Sequence, residues 1–196
     1  MKVNEIHNLF VQKGIEADFR GREGVQKFLD NKKNKFQKLS LKDQEEFDKE
    51  ALENPYLDSG VYNIVEDKEI KRVLVGIDIG PEEILLAKEL GGIDLVIAHH
   101  PIGKGLAQLA DVMDLQCDVY NFYGVPINVV EGLMKERISE VARGVNAVNH
   151  QRTVDTAKLL NVNLINSHTP SDNMAAKFLR DFIEKRKFER VGELVN

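Results

Sequence analysis

Apolar residues along this chain fall into two kinds of pattern. In the middle and towards the end they form short continuous runs, V-L-V-G-I-D-I over 73–79, L-V-I-A over 95–98 and V-N-L-I-N over 162–166. Such runs, rich in β-branched residues, predict strands buried on both faces. Between the first two, Pro81 suits the first turn of a helix, where its missing N–H leaves no donor unpaired. Glu82 and Glu83 favour the positive end of that helix dipole, and Gly91-Gly92 end the helix after Leu90. Strand, helix and strand in succession predict parallel pairing.

Elsewhere the apolar positions recur three and four residues apart. Leu109, Val112, Met113 and Val119 predict one helix over 106–123, broken by Gly124-Val125-Pro126. Val130, Met134, Ile138 and Val141 predict a second over 128–143, and a third covers 153–160. Met174/Phe178/Phe182 and Ala175/Leu179/Ile183 predict a helix over 174–185 with both stripes facing the core. Near the start, Ile6, Leu9, Phe10 and Ile15 form a short amphipathic pattern that Gly14 interrupts. Phe28, Phe36, Leu39 and Phe47 punctuate a basic segment (20–38) and an acidic one (43–53). That predicts solvated helices of compensating charge rather than a phosphate or RNA surface. Asn54-Pro55 and Asp58-Ser59-Gly60 are turn chemistry. The expected architecture is α/β, a mixed sheet with flanking helices over 56–196, preceded by a helical N-terminal extension over 1–55.

Composition narrows the class. With 196 residues, 42% hydrophobic and 30% charged, the chain can bury a full core without staples. A formal charge of −5 argues against nucleic-acid binding. The single cysteine, Cys117, rules out an internal disulfide framework, fits a reducing compartment and is expected to pack inside a helix. The first ten residues lack the apolar core of a signal peptide, and no stretch of about 18 apolar residues predicts a membrane span. The expected location is the cytoplasm.

The candidate chemistry sits at strand ends, where open α/β sheets place their ligands. His99-His100-Pro101 follows the 95–98 run directly. Adjacent residues leaving a strand face opposite sides, so the pair could serve two metal ions with one imidazole each. Asp172, in H-T-P-S-D-N, is either a hard oxygen ligand able to bridge two ions or the cap of a helix beginning near Asn173. His168 is a ligand, a donor behind a ligand or a packed strand-end histidine; the second reading is favoured. His150 and Arg152 are candidates for a substrate phosphate, against a plain cap and loop. Asp78 either caps the Pro81 helix or lines the site. The G-x-G-x-x-G, Walker, G-x-S-x-G and C-x-x-C motifs are absent, which removes several enzyme classes.

V-L-V-G-I-D-I-G, then A-K-E-L-G-G-I-D-L-V-I-A-H-H-P-I, then H-T-P-S-D-N resemble the Nif-three-like family, often labelled GTP cyclohydrolase I type 2. N-P-Y-L-D-S-G-V resembles an early family segment, W-D-N-x-G-L, without its Trp. The resemblance covers residues 58–196. It implies a two-metal site with His99, His100 and Asp172 as ligands to Zn, Fe, Mn, Ni or Co. It also implies a metal-dependent hydrolase acting on a nucleotide, phosphoester or related ring, assembled as a homo-oligomer, hexameric in the family. The alternative is a non-catalytic metal-binding or adaptor protein. The family completes its site with a later His and Glu, and no His follows His168 here. The expectation is therefore a domain truncated at its C-terminus, whose three donors, shared between two ions, bind metal weakly.

Overall fold

The computed structural model describes residues 1–186, 188, 190 and 192–193. Helices α1 (Val3–Ala17), α2 (Gly21–Gln37) and α3 (Leu41–Glu46) come first, followed by a 3₁₀ turn at Lys49–Leu52. Strands β1 (Val61–Asn63) and β2 (Val73–Gly76), helix α4 (Pro81–Leu90) and strand β3 (Leu95–Ala98) follow. Next come α5 (Gly103–Ala107), α6 (Leu109–Val112), α7 (Asp114–Phe122), α8 (Ile127–Asn146) and α9 (Arg152–Leu160). Strand β4 (Leu164–Asn166) and helix α10 (Thr169–Glu184) complete the order.

The sheet is mixed, in the order β1-β4-β3-β2. β2, β3 and β4 run parallel, and β1 pairs antiparallel with β4. Register brings Gly76, Ala98 and Asn166 level at one edge, so three strands release their chains side by side. Helices α4 and α9 cover one face, where Ile84, Val96, Ala157 and Leu164 meet. Helix α1 covers the other over β3 and β4, with Val3, Ile6 and Phe10 against Leu95, Ile97 and Ile165. Each fully buried Leu or Ile in these two layers contributes about 1.5–3 kcal/mol relative to exposure. The α/β class with a mixed sheet is as the sequence predicts. The helical start is part of the sheet's packing, because α1 supplies one of its two covers.

Some expectations fail, each for a physical reason. The 73–79 run is not buried on both faces: β2 is an edge strand that α1 does not reach, and Val73, Val75 and Ile77 are 45%, 63% and 63% exposed. The helix expected over 106–123 is three short ones. At its joints Asp111 N–H bonds Gln108 O and Gln116 N–H bonds Met113 O, both at i−3, so the chain tightens there and turns. The apolar stripes of the last helix are largely uncovered, with Phe178, Leu179, Phe182 and Ile183 exposed, although the helix packs against α1.

Gly14 does not interrupt α1. A Cβ there would lie 2.7 Å from Pro170 Cα, so glycine is what lets α1 and α10 touch. Gly103, at φ +52°, leaves the Pro101 turn in a conformation that side chains resist, and a Cβ would meet Val154 and the Tyr62 ring. Cys117 is buried in α7, as expected. Among the described residues no helix is long and apolar enough to cross a membrane.

Candidate metal centre

The release edge of the sheet gathers three histidines. β3 ends at Ala98, and His99 and His100 lie in a bend whose N–H groups donate to Gly76 O, at the end of β2, and to Ile77 O just beyond it. Out of the strand they no longer alternate. Their ring centroids are 5.3 Å apart, and both lie near His168, at 5.1 and 6.0 Å. The two imidazoles therefore share one side, contrary to the expectation of one on each.

Helix α10 begins at Thr169, five residues before the predicted start. Proline is tolerated in a first turn, so Thr169-Pro170 opens the helix instead of preceding it. Asp172 is thus inside the first turn and caps nothing. Its Oδ1 lies 3.4 Å from His99 Nε2 and its Oδ2 lies 3.6 Å from His168 Nε2. Donor atoms of His99, His168 and Asp172 all lie within 4.8 Å of one another. Two ligands at about 2.1 Å on a tetrahedral ion stand about 3.4 Å apart, so the two imidazole–carboxylate separations match a shared ion.

Hydrogen bonds fix the proton on each ring. His99 Nδ1 is 3.1 Å from Ser167 O, and a carbonyl only accepts, so Nδ1 carries the proton and Nε2 keeps its lone pair. His168 Nδ1 donates to Asp58 Oδ2 at 2.7 Å, and His100 Nδ1 donates to Asp78 Oδ1 at 2.6 Å. All three Nε2 atoms are left free to donate to a metal. Burial works to lower the His168 pKa, but the hydrogen bond and charge of Asp58, with Asp172 beyond, hold it above its ordinary value. His168 Nε2 groups with His99 and Asp172, where the sequence reading favoured a donor behind a ligand. Asp78 serves the site rather than capping α4, whose Gly80 N–H is taken by the Glu83 carboxylate.

Asp58 is the residue that sequence reading missed, taken only for turn chemistry. It is 1% exposed. Besides His168, it accepts from Thr169 Oγ1 at 2.6 Å and from Ser59 Oγ at 3.2 Å. The turn that carries it is tied to β4: Asn166 Nδ2 donates to Asp58 O, while Asn166 Oδ1 accepts from Gly60 N–H and Tyr62 O–H. The only sequence signal was a carboxylate in N-P-Y-L-D-S-G-V, a stretch already matched to a known segment.

A second buried network holds the α10 turn. Asn173 Nδ2 donates to Gly14 O and to Tyr56 Oη, and Tyr56 O–H donates to Asp18 Oδ2 at 2.8 Å. Arg20 pairs with the same carboxylate at 2.8 Å. Burial pushes the Asp18 carboxyl up, but Arg20 and the Tyr56 hydroxyl together hold it below its usual range.

His150 and Arg152 are engaged elsewhere. His150 Nε2 donates to Val145 O near the end of α8, and Arg152 pairs with Glu82 on an exposed surface at 3.1 Å. Neither joins the grouped donors.

An α/β sheet releasing histidines and an aspartate at one edge defines a class of candidate metal proteins. No family model and no curated protein matches the sequence. Among solved structures, the crystal structure of a NIF3 superfamily protein from Sphaerobacter thermophilus is similar, with a TM-score of 0.62 and 34% identity. The match covers 66% of this chain and 46% of that one, so the chain spans less than half of that protein's length. This likeness supports membership of the NIF3 superfamily.

Proposed function

We propose that the chain binds a divalent metal ion through His99 Nε2, His168 Nε2 and Asp172, and that the centre supports metal-dependent hydrolysis of a small molecule. One observation carries this reading. Each grouped imidazole has its Nδ1 proton committed to a fixed oxygen, which is how metal-ligating histidines are held and their basicity raised. With His168 counted, one ion has the three protein donors usual for a catalytic site, with a fourth position open. His100, oriented by Asp78, is the natural donor to a second ion.

A bound divalent ion supplies Lewis acidity, polarising the bond under attack and acidifying water. The chain supplies the rest. Asp58 and Ser167 O hold the rings, Asp172 offsets the ion's charge, and the cavity beside His168 receives the substrate. Imidazole with carboxylate suits Zn, Fe, Mn, Ni and Co alike, so metal identity follows supply and geometry. Assembly as a homo-oligomer is consistent with the exposed Val73, Val75 and Ile77 on the bare face of β2.

The test is metal content after dialysis against Zn²⁺ or Mn²⁺, followed by a hydrolase screen with and without the ion. Wild-type chain should retain at least one ion, and His99→Ala and Asp172→Asn should lose it. Equal retention by all three would refute the assignment.

A further inference from the structure

Beside the donor cluster lies a cavity of about 180 Å³, bounded on one side by His168 and Asp172. Its opposite wall is apolar: Leu109, Val112, Met113, Leu115 and Val119, presented by α6, α7 and the turn between them. Leu109, Val112, Met113 and Val119 are the stripe spaced three and four apart in the sequence, carried here across the joint at Met113. A cavity of about 150 Å³ with such walls admits benzene. The space here is of that order but opens to solvent, so it can seat one six-membered ring against the apolar wall.

Charge sharpens the choice. Among the described residues no lysine or arginine lines this space; its formally charged lining groups are Asp58 and Asp172, alongside the His168 imidazole. Proteins meet phosphate with Arg, Lys, rows of free backbone N–H groups or bound metal ions, and of these only a metal ion on the donor cluster would be within reach here. His150 and Arg152, the residues suited by type to that task, are paired elsewhere. Its neutral polar lining residues are Gln116, which is exposed, Thr169 and Asn173.

We infer that this cavity takes the ring of a small aromatic or cyclic aliphatic substrate, whose oxygen-donor head faces His168 and Asp172. The inference rests on the proposed metal centre for the head group and on the cavity alone for the ring, so the two can be tested apart.

The head-group arm uses the zinc-loaded full chain titrated with benzohydroxamate and acetohydroxamate, which share a chelating head and differ in the ring. Benzohydroxamate should bind on the order of 10-fold tighter or more. Val119→Phe, which fills the cavity, should abolish that preference while zinc stoichiometry stays unchanged. The ring arm uses metal-free protein and the methyl resonance of Met113, one of four methionines. Benzamide should shift it, and acetamide and GTP should not. Equal hydroxamate affinities with zinc bound, or a Met113 shift with GTP and none with benzamide, would overturn the inference and leave the metal centre standing. Failure to bind zinc alongside a benzamide shift would overturn the metal centre and keep the ring site.

Discussion

Asp58 Oδ2 lies 2.7 Å from His168 Nδ1, joining a turn before the sheet to the residue that precedes α10, 110 positions later. The carboxylate is buried, so its charge acts on the ring with little screening by water. It fixes which nitrogen is protonated and makes the other a better donor.

Replacing Asp58 with Asn keeps the shape and an acceptor oxygen but removes the charge. Metal affinity should fall by about 10–100-fold, the usual cost of losing such a partner. Competition with a chromogenic chelator measures it. An unchanged affinity would mean that Asp58 serves folding alone.

Gly14 connects stability to the site. Gly14→Ala forces a methyl group into Pro170, and overpacking of this kind costs about 1–3 kcal/mol. Because Pro170 and Asp172 share the first turn of α10, metal affinity should weaken along with thermal stability. Calorimetry and metal titration on the same preparation check both. A lower Tm with full affinity would show that the contact supports the fold and not the site.

Acid should act through Asp18. Its folded pKa is below its ordinary 3.8, so the stability it contributes is fully present above that unfolded value and is lost as pH falls through the folded one. Asp18→Asn should be less stable than wild type at pH 7, and the two should converge as pH drops below about 4. Denaturant unfolding across that range measures the difference. A gap that stays constant with pH would exclude the carboxylate's ionisation as its cause.

The sheet centre was legible because an unbroken apolar run, L-V-I-A, ends in two histidines, and burial on both faces leaves such a signature. The V-L-V-G-I-D-I run carries the same signature yet lies at an edge, because a face that this chain leaves bare is still written in apolar residues. His168 was visible, but its grouping with His99 and Asp172 depends on where α10 starts, and Thr169-Pro170 reads as a loop until its backbone is seen. The role of Asp58 was not legible beyond its place in N-P-Y-L-D-S-G-V, since what makes it matter is burial against a strand more than 100 residues away. Local patterns report local structure. The partner of each imidazole is non-local.

The central claim is that His99 and His168 offer Nε2 to a metal while Nδ1 stays protonated. Long-range proton–nitrogen NMR of the five histidines during Zn²⁺ titration tests it directly. Before metal, neutral His99 should show the Nδ1-protonated tautomer and His150 the opposite one, as its Nε2 bond to Val145 O requires. On adding zinc, Nε2 of His99 and His168 should shift together, saturating at the same ratio of zinc to chain, while His7 and His150 stay in place. Nε2-protonated rings at His99 and His168, or a zinc titration that leaves both unmoved, would contradict the account.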